Sequence, residues 1–282
     1  MTSGAAEKAA VLVEALPYIR RFSGKVVVVK YGGNAMGGDL SSFADDVVLL
    51  HSVGIKVVVV HGGGPQIGDL LGRLGIRTEF VDGLRVTDAE TLDVVRMVLV
   101  GKVNRELVAA INVHGRLAVG VSGEDGAFIQ ASALKPELGY VGEVDDVDPT
   151  LIERLLDTDV IPVIATIGMD DEGQAYNINA DTAAGAIAAA LRAEKLVYLT
   201  DVEGIRADAG DPDSLVRVAS TDQVEAMIAS GAVSGGMIPK VRSCVDAVEA
   251  GVAHAHILDG RVPHVLLLEL FTTTGIGTMV TP

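Results

Sequence analysis

Cysteine is nearly absent from this sequence, which contains a single one, Cys244, among 282 residues. One cysteine excludes an intramolecular disulfide framework and a zinc cluster made of several cysteines. We therefore expect Cys244 to be a small buried residue on a helix. The low cysteine content agrees with a reducing compartment such as the cytoplasm.

Basic residues are also scarce, with 22 Lys and Arg against 38 Asp and Glu and a net charge of −16. A charge of this sign repels nucleic acid and anionic membranes, so an anionic ligand would have to be bound by local groups. No hydrophobic run reaches the ~18 residues that a membrane-spanning helix needs. The N-terminal residues lack an apolar segment followed by a cleavage site, and we expect a soluble, unprocessed, cytoplasmic protein.

The usual phosphate-binding and metal-binding motifs are missing too. A P-loop would need Ser or Thr where Val103 follows Gly101-Lys102, and a dinucleotide-binding loop would need Gly in place of Ile67. Patterns of the HExxH, calcium-loop and GxSxG types are absent as well. These absences argue against a metal ion held by a dedicated protein cage.

Short apolar runs dominate what is present, and 49% of the residues are hydrophobic. Most runs are continuous rather than alternating, which is typical of strands covered on both faces. The predicted strands are 26–29, 57–60, 117–121, 160–165, 196–199, 254–258 and 265–270. Helical periodicity predicts helices at roughly 39–53, 65–74, 88–114, 149–157, 181–192, 221–230 and 237–251.

This alternation predicts an α/β fold with a mostly parallel sheet between layers of helices. Residues 122–147 differ, because the short polar segments 127–131 and 139–143 predict hairpins on one side of the molecule. Ahead of the first strand, residues 5–16 have helical spacing, and Pro17 predicts that this helix breaks or kinks there. The sequence has no internal repeat or linker, so we expect one contiguous unit with two lobes.

Two predicted strands end in a polar residue followed by glycines, in VVVVKYGG (26–33) and VVVVHGGGP (57–65). In parallel sheets, ligands gather at these carboxyl ends. Lys30 would need a partner at the end of a buried strand, unless it only marks where the strand reaches solvent. The glycines at 62–64 allow backbone N–H groups to approach an anion ahead of Pro65, although a tight turn without a ligand would also use glycine.

Three further junctions allow two interpretations each. Lys240 follows GGMIP in the first turn of a helix, where the helix dipole disfavours a cation, and is either functional or an ordinary surface lysine. Asn179 and Asp181 precede a helix, where capping is the usual role of either residue type. Arg85 lies in the loop 83–87 and is either a clamp for a carboxylate or a solvated side chain.

Together, the motifs resemble those of the amino acid kinase family. They are KYGG (30–33), HGGGP (61–65), GLRVT (83–87), NINAD (177–181), TDVEG (200–204) and GGMIPK (235–240). GLRVT with NINAD resembles the members that phosphorylate N-acetyl-L-glutamate, the second step of arginine biosynthesis. The resemblance implies a three-layer αβα sandwich with a mostly parallel central sheet. It also implies an N-terminal helix (1–22), an amino-acid-binding lobe (about 23–194) and an ATP-binding lobe (about 195–282).

The resemblance further implies ATP with Mg²⁺ as the co-substrate, and it gives roles to particular residues. The catalytic residues would be Lys30, Lys240 and Asp181. The residues that bind the amino-acid substrate would be Gly63, Gly64, Arg85, Asn177 and Asn179. The residues that bind the nucleotide would be Gly32, Gly33, Gly62, Thr200, Asp201, Gly235 and Gly236.

The implied nucleophile is a carboxylate, which is already ionised at neutral pH and needs no general base. The obstacle is electrostatic, because two anions must approach each other. Lys30 and Lys240 would hold the transferring phosphoryl group from opposite sides, and Asp181 would hold the two ammonium groups in place. Mg²⁺ would bridge the β and γ oxygens, and Arg85 would bind the α-carboxylate of the substrate. Asn177 would position its acetamido group.

Two segments resemble those of family members that L-arginine inhibits, namely the N-terminal helix and the run 256–278. Such enzymes are hexamers, built as trimers of dimers, in which the N-terminal helices interlock. Glu269 would pair with the guanidinium group of the inhibitor, with His256 and Gly275 as neighbours. Alternatively, 265–270 is a structural strand and Glu269 is an ordinary exposed carboxylate.

Other functions stay open on these residues. A kinase of the same fold that acts on glutamate, aspartate or carbamate would share most of the motifs. A dinucleotide-binding oxidoreductase fits the α/β pattern but lacks the glycine loop. A catalytically silent binding protein would be expected to lose Lys30, Lys240 or Asp181, and all three are present.

Overall fold

The computed structural model describes residues 3–32, 40–208, 210–211, 213–233, 237–272 and 275–282. In these residues the helices are α1 (Ser3–Phe22), α2 (Leu40–Ser52), α3 (Gly64–Leu74), α4 (Ala89–Arg96), α5 (Asn104–Asn112), α6 (Thr150–Asp157), α7 (Ala180–Ala190), α8 (Thr221–Ala229), α9 (Met237–Glu249) and α10 (Val265–Phe271). A π-helical segment, Met97–Val103, joins α4 to α5.

The strands in the described residues are β1 (Val26–Tyr31), β2 (Lys56–His61), β3 (Phe80–Val81), β4 (Leu84–Arg85), β5 (Ala118–Ser122), β6 (Ile129–Ala133), β7 (Val141–Val147), β8 (Ile161–Ala165), β9 (Ile167–Met169), β10 (Ala175–Ile178), β11 (Lys195–Thr200), β12 (Val218–Ser220), β13 (Ala255–Asp259) and β14 (Thr278–Thr281). Eight of them form the central sheet in the order β12-β14-β13-β11-β1-β2-β8-β5. Neighbouring strands in this sheet are parallel except β13 and β14, which are antiparallel.

Helices cover both faces of the sheet, and each face has its own buried cluster. Val27 and Val29 of β1 contribute to the cluster under α2, α3, α4, α5 and α10. Val28 points to the opposite face and packs in the cluster under α6, α7, α8 and α9. Burial on both faces explains why the strand reads as a continuous apolar run. The predicted α/β class and three-layer αβα arrangement are confirmed.

The predicted helices, and all predicted strands except one, occur within a few residues of their expected bounds. The exception is 265–270, where the prediction of a strand is wrong because the segment forms α10. A short apolar run fits a buried helix as well as a buried strand, and this one is rich in leucine rather than in β-branched residues. The chain beyond α10 returns to the sheet only at β14.

The first helix does not break at Pro17, since α1 continues through Pro17 to Phe22, and the alternative of a kink there stays a prediction. Tyr18, Ile19 and Phe22 pack against the core beyond the proline. This packing stabilises the second half of the helix, although a proline removes one backbone hydrogen bond.

The hairpin predicted within 122–147 is present as the antiparallel pair β6 and β7. Its bounds differ from 127–131 and 139–143, because β6 begins at Ile129 and β7 continues to Val147. The hairpin closes into a four-stranded barrel with β9 and β10, which were not predicted. The division into lobes near residue 195 stays a prediction. None of the helices in the described ranges combines the length and apolar character needed to cross a lipid bilayer.

Candidate active site

A cleft of about 200 Å³ lies at the carboxyl ends of β1 and β2. Lys30 of β1 lines it together with the glycines that follow β2. Helices α3 and α7 both begin at this cleft, with Gly64 and Ala180 as their first residues. The positive ends of both helix dipoles are thus directed to one place, and α3 has no side-chain cap, which favours an anionic ligand despite the negative net charge of the protein.

Lys30, Asp181 and Lys240 form one charged cluster, of which Lys30 and Asp181 line the cleft. The ammonium nitrogen of Lys30 lies 2.7 Å from Asp181 Oδ1, and that of Lys240 lies 3.6 Å from Oδ2. The Lys30 side chain is 6% exposed and that of Lys240 is 26% exposed. The structure therefore brings together two lysines from distant parts of the chain, with Asp181 between them.

The electrostatics of this cluster keep Asp181 ionised. Burial raises the pKa of Asp181, but the charges and hydrogen bonds of Lys30 and Lys240 outweigh burial and place the pKa below its ordinary value. With both lysines charged, the cluster carries a net charge of +1. An anion bound between the two ammonium groups would compensate this charge.

Arg85 lies on β4 and also lines the cleft. Its guanidinium group donates to Thr78 Oγ1 and to the carbonyl oxygen of Gly64, both at 3.0 Å. The ring of Phe80 lies under the group, with its centroid 4.7 Å from Cζ. Arg85 is 9% exposed, so the solvated alternative does not describe it. The two hydrogen bonds and the ring hold the guanidinium group in one orientation at the cleft.

Asn177 lies in β10, and Asn179 lies directly ahead of α7. The Asn177 amide nitrogen donates to Thr87 Oγ1 at 3.2 Å, and its side chain lines the cleft. Asn179 Oδ1 accepts from the backbone N–H groups of Asp181 and Thr182, so Asn179 is the N-cap of α7. It lines the cleft as well. The capping interpretation therefore applies to Asn179 and not to Asp181.

At three glycines in and beside the cleft, the Cβ atom of any other residue would crowd its neighbours. A Cβ atom on Gly32 would lie 3.0 Å from the Lys30 ammonium nitrogen, and one on Gly62 would lie 3.2 Å from Ala180 Cβ. One on Gly63 would lie 2.8 Å from Leu99 Cδ2. The glycines are thus needed for close packing around Lys30 and the start of α7. Three further predicted glycines, Gly33, Gly235 and Gly236, lie outside the described residues.

A second cavity, of about 290 Å³, lies beyond the carboxyl ends of β11 and β13. Asp201 lines it with Met237, the first residue of α9, so Lys240 in the same helical turn lies between the two cavities. Thr200 does not line it: its buried hydroxyl accepts from the Val202 N–H at 3.1 Å and shapes the turn that carries Asp201.

Two basic side chains of this second cavity, Arg206 and Arg261, were not singled out from the sequence. Each follows the carboxyl end of a predicted strand, where ligands gather in parallel sheets, and this position could have identified them as candidates. Asp259 accepts two hydrogen bonds from Arg261, at 2.8 and 2.7 Å, which hold its guanidinium group at the rim.

A third cavity, of about 380 Å³, brings together His256, Glu269 and Gly275. Glu269 Oε1 accepts from His256 Nδ1 at 2.9 Å, and Oε2 accepts from the Ile276 N–H at 2.8 Å. The Glu269 side chain is 7% exposed and lies on a helix, so the alternative of a strand with an exposed carboxylate is wrong. Burial raises the pKa of Glu269, but the bonds from His256 and the backbone outweigh it and lower the pKa overall.

Lys195 is a member of this third cavity that the sequence analysis missed. Its ammonium nitrogen lies 2.8 Å from His256 Nε2, and burial lowers the pKa of Lys195 to about 8. Burial also lowers the pKa of His256 to about 4, so the ring is neutral at pH 7 and accepts from Lys195. Lys195 is the first residue of β11 and is not followed by glycines, so it lacks the junction that singled out Lys30.

Residues 25–259 match the model of the amino acid kinase family. The chain belongs to this family. An acetylglutamate kinase from Heliobacterium modesticaldum is 54% identical over 290 residues, with 98% of each chain covered. The family is one of kinases, and the protein is therefore an enzyme that uses ATP as its co-substrate.

Two solved structures have folds similar to that of this chain. N-acetylglutamate synthase from Neisseria gonorrhoeae, complexed with coenzyme A and L-arginine, has a TM-score of 0.83 at 31% identity. The similarity covers 97% of this amino acid kinase and 65% of the synthase, so the chain spans about two thirds of that protein. Carbamate kinase from Giardia lamblia bound to AMP-PNP shares the fold, with a TM-score of 0.67 at 19% identity over 92% of this chain and 98% of its own.

Proposed function

We propose that this kinase transfers the γ-phosphoryl group of ATP to the side-chain carboxylate of N-acetyl-L-glutamate, the second step of arginine biosynthesis. The observation that carries the proposal is the cluster of Lys30, Asp181 and Lys240 between the Arg85 cleft and the cavity at Asp201. The names of relatives that are about half identical over the full length support the choice of acceptor.

In this reaction a carboxylate oxygen of the acceptor attacks the γ-phosphorus as the bond to the leaving ADP oxygen breaks. No proton has to move, since the nucleophile is ionised before it binds. Lys30 and Lys240 stabilise the charge that spreads over the transferring group, and Asp181 keeps both ammonium groups in position. Arg85 binds the α-carboxylate, so that the side-chain carboxylate points toward the lysines.

Mg²⁺ enters this scheme as part of the nucleotide substrate. In the described part of the chain, no group of three or more His, Cys, Asp and Glu side chains is placed to hold a metal ion. Magnesium in kinases is bound largely by substrate phosphate oxygens and water, with one or two carboxylates, so it needs no dedicated protein cage. When bound with ATP, the ion would neutralise part of the negative charge of the phosphate groups.

The direct test is formation of an acyl phosphate, trapped by hydroxylamine, from ATP, Mg²⁺ and N-acetyl-L-glutamate. We expect rapid formation with this acceptor and little with glutamate, aspartate or carbamate supplied in its place. A higher kcat/KM for one of those acids would identify the alternative, a kinase of the same fold with another substrate. Binding of NAD(H) in place of ATP would contradict both.

Inhibition by L-arginine at the third cavity is a second part of the proposal. Glu269 presents a buried carboxylate that suits a guanidinium group, and Lys195 supplies a cation that suits the α-carboxylate. Tyr18 and Phe22 of α1 line the same cavity. The complex of the related synthase with L-arginine supports a site of this chemistry.

Helix α1 links this cavity to a proposed assembly. The apolar side chains of Val11, Leu12, Val13 and Leu16 are 51 to 72% exposed, although such residues are usually covered. Pairing of these helices between dimers would bury them in a hexamer built as a trimer of dimers. Arginine bound against Tyr18 and Phe22 would then act on the packing of α1.

Two measurements test this part. Arginine titration should lower the activity of the wild type at millimolar concentrations, and Glu269→Gln should abolish the response with little change in turnover. Sedimentation should show a hexamer, and removal of residues 1–22 should leave dimers. Full activity at saturating arginine would refute the regulatory site, and an unchanged hexamer after the deletion would refute the role of the helix.

A further inference from the structure

His61, the last residue of β2, connects the glycine loop to the interior of the protein. The side chain is fully buried, and its Nδ1 lies 3.0 Å from the carbonyl oxygen of Gly62. On the other side of the ring, Nε2 lies 3.0 Å from the amide nitrogen of Asn104, the first residue of α5. The same amide nitrogen donates to the carbonyl oxygen of Val163 in β8 at 2.8 Å.

The partners of this chain of hydrogen bonds determine where its protons lie. Asn104 Oδ1 accepts from the guanidinium group of Arg105, so the amide nitrogen is the atom that faces His61 and Val163. Its two hydrogens are donated to the Val163 carbonyl and to His61 Nε2. The ring must then carry its proton on Nδ1 and donate it to Gly62. Burial lowers the pKa of His61 to about 4, which agrees with a neutral ring.

The residues around Asn104 leave space for its side chain, and others pack against the glycine loop. Gly120 of β5 has no Cβ, and a Cβ there would overlap Asn104 Oδ1 and the Arg105 guanidinium group. The π-helical segment that leads into α5 places Leu99 and Val103 against Gly63. A π-turn is uncommon and occurs often at functional sites. Two separate contacts from one helical region thus converge on the loop.

We propose that His61 and Asn104 are positioning residues that fix the peptide group between Gly62 and Gly63 for phosphoryl transfer. This peptide group is planar, so a carbonyl held toward His61 directs the Gly63 N–H to the opposite side. Gly63 is the N-cap of α3 and lines the cleft, and an N-cap N–H has no partner within its helix. A fixed N–H donor at that point stabilises charge that develops on the transferring group.

The inference rests on the proposed function, because it needs a phosphoryl group in the cleft. The kinetic test compares His61→Leu, which removes both ring nitrogens, with His61→Asn, whose amide nitrogen can replace Nδ1 as the donor. We expect turnover to fall about 10²-fold in His61→Leu and in Asn104→Leu, as on removal of one oriented donor, with each KM within about threefold of the wild type. His61→Asn should recover at least a tenth of the wild-type turnover.

Asn112→Ala is the matched control, since Asn112 lies on the same helix but binds the backbone of Leu117 and Ala118. It should lower the melting temperature and leave turnover unchanged. Unchanged turnover in folded His61→Leu, a rise in KM alone, or an equal loss of turnover in Asn112→Ala would overturn the proposal.

A second measurement needs no substrate and observes the ring in the wild-type protein. In ¹⁵N spectra of the imidazole rings of the wild type between pH 6 and 8, His61 should show the neutral form protonated on Nδ1. The signal is assigned by its absence in His61→Asn. A ring protonated on Nε2 or on both nitrogens would overturn the proposal. Failure of the proposed function would instead appear as a wild-type protein that forms no acyl phosphate.

Discussion

Lys30 and Asp181 form an ion pair of 2.7 Å between the end of β1 and the first turn of α7. Lys240 reaches the other oxygen of the same carboxylate from α9, at 3.6 Å. The two lysines differ in burial, because the Lys30 side chain is almost fully covered and that of Lys240 keeps a quarter of its surface exposed. We therefore expect their removal to have similar effects on turnover and different effects on stability.

Replacement of Lys240 by alanine should lower turnover by about 10²- to 10³-fold, the usual cost of one preorganised donor to a developing charge. The free energy of unfolding should change by less than about 1 kcal/mol, because a partly exposed ion pair contributes little. Steady-state kinetics and urea denaturation measure the two effects. Lys25→Ala, at the exposed amino end of β1, is the control and should leave both quantities unchanged. Near wild-type turnover in Lys240→Ala would remove the lysine from the mechanism.

Replacement of Lys30 by alanine should lower both turnover and stability. The buried Asp181 would keep only the longer contact to Lys240, and loss of one partner of a buried pair costs roughly 3 kcal/mol. Lys30→Arg should not restore turnover, because Gly32 leaves no spare room around the ammonium group and a planar guanidinium group is larger. Urea denaturation and turnover of both variants provide the check. If Lys30→Ala were as stable as Lys240→Ala, the deeper burial of Lys30 would not contribute to stability as proposed.

Replacement of Arg85 by lysine should act mainly on substrate binding. A lysine cannot keep the bonds to Thr78 and Gly64 and still bind a carboxylate with two parallel donors. Loss of charge-assisted hydrogen bonds predicts that the KM for N-acetyl-L-glutamate rises about 10- to 100-fold, with a smaller change in turnover at saturation. Arg73→Lys, on the exposed side of α3, is the control. An equal KM in the two variants would show that Arg85 does not bind the substrate.

The low pKa of His256 predicts that the folded protein loses stability in acid. Burial lowers its pKa from 6.5 in the unfolded chain to about 4 in the folded protein. The unfolded chain binds more protons between these values, so the contribution is fully present above pH 6.5 and is lost as the pH falls to 4. For a single histidine the loss is about 3 kcal/mol.

Urea denaturation at several pH values between 7 and 4 measures this effect. In His256→Asn, the free energy of unfolding should fall less steeply with decreasing pH than in the wild type. The difference in slope should correspond to nearly one proton taken up on unfolding. Parallel curves for the two proteins would mean that His256 is not the group that titrates.

Much of the fold could be predicted because its signals are local. The central strands are covered on both faces and therefore read as apolar runs, and the helices show their period of 3.6. The prediction for 265–270 failed for the same reason, since a run of six residues, five of them apolar, has no periodicity that separates a buried strand from a buried helix. Only the docking of α10 beside α1 and α2 decides between them.

The candidate site divides in a similar way. Lys30, Arg85 and Lys240 could be selected because each breaks a local rule or stands at a glycine-rich junction. His61 also stands at such a junction, but nothing in the sequence shows what its ring contacts, and Asn104 and Lys195 have no signal beyond a polar residue beside apolar ones. Their roles depend on partners such as Val163 and His256 that are remote in the chain.

The sequence by itself determined the succession of strands and helices, the glycine junctions and the negative net charge, because these depend on residues close together along the chain. Only the tertiary structure decided which charged groups meet. The order of strands in the sheet places β1 beside β2 and β11 and brings the starts of α7 and α9 to the end of β1. Pairing between strands is a long-range interaction, and its geometry sets the distances on which the chemistry depends.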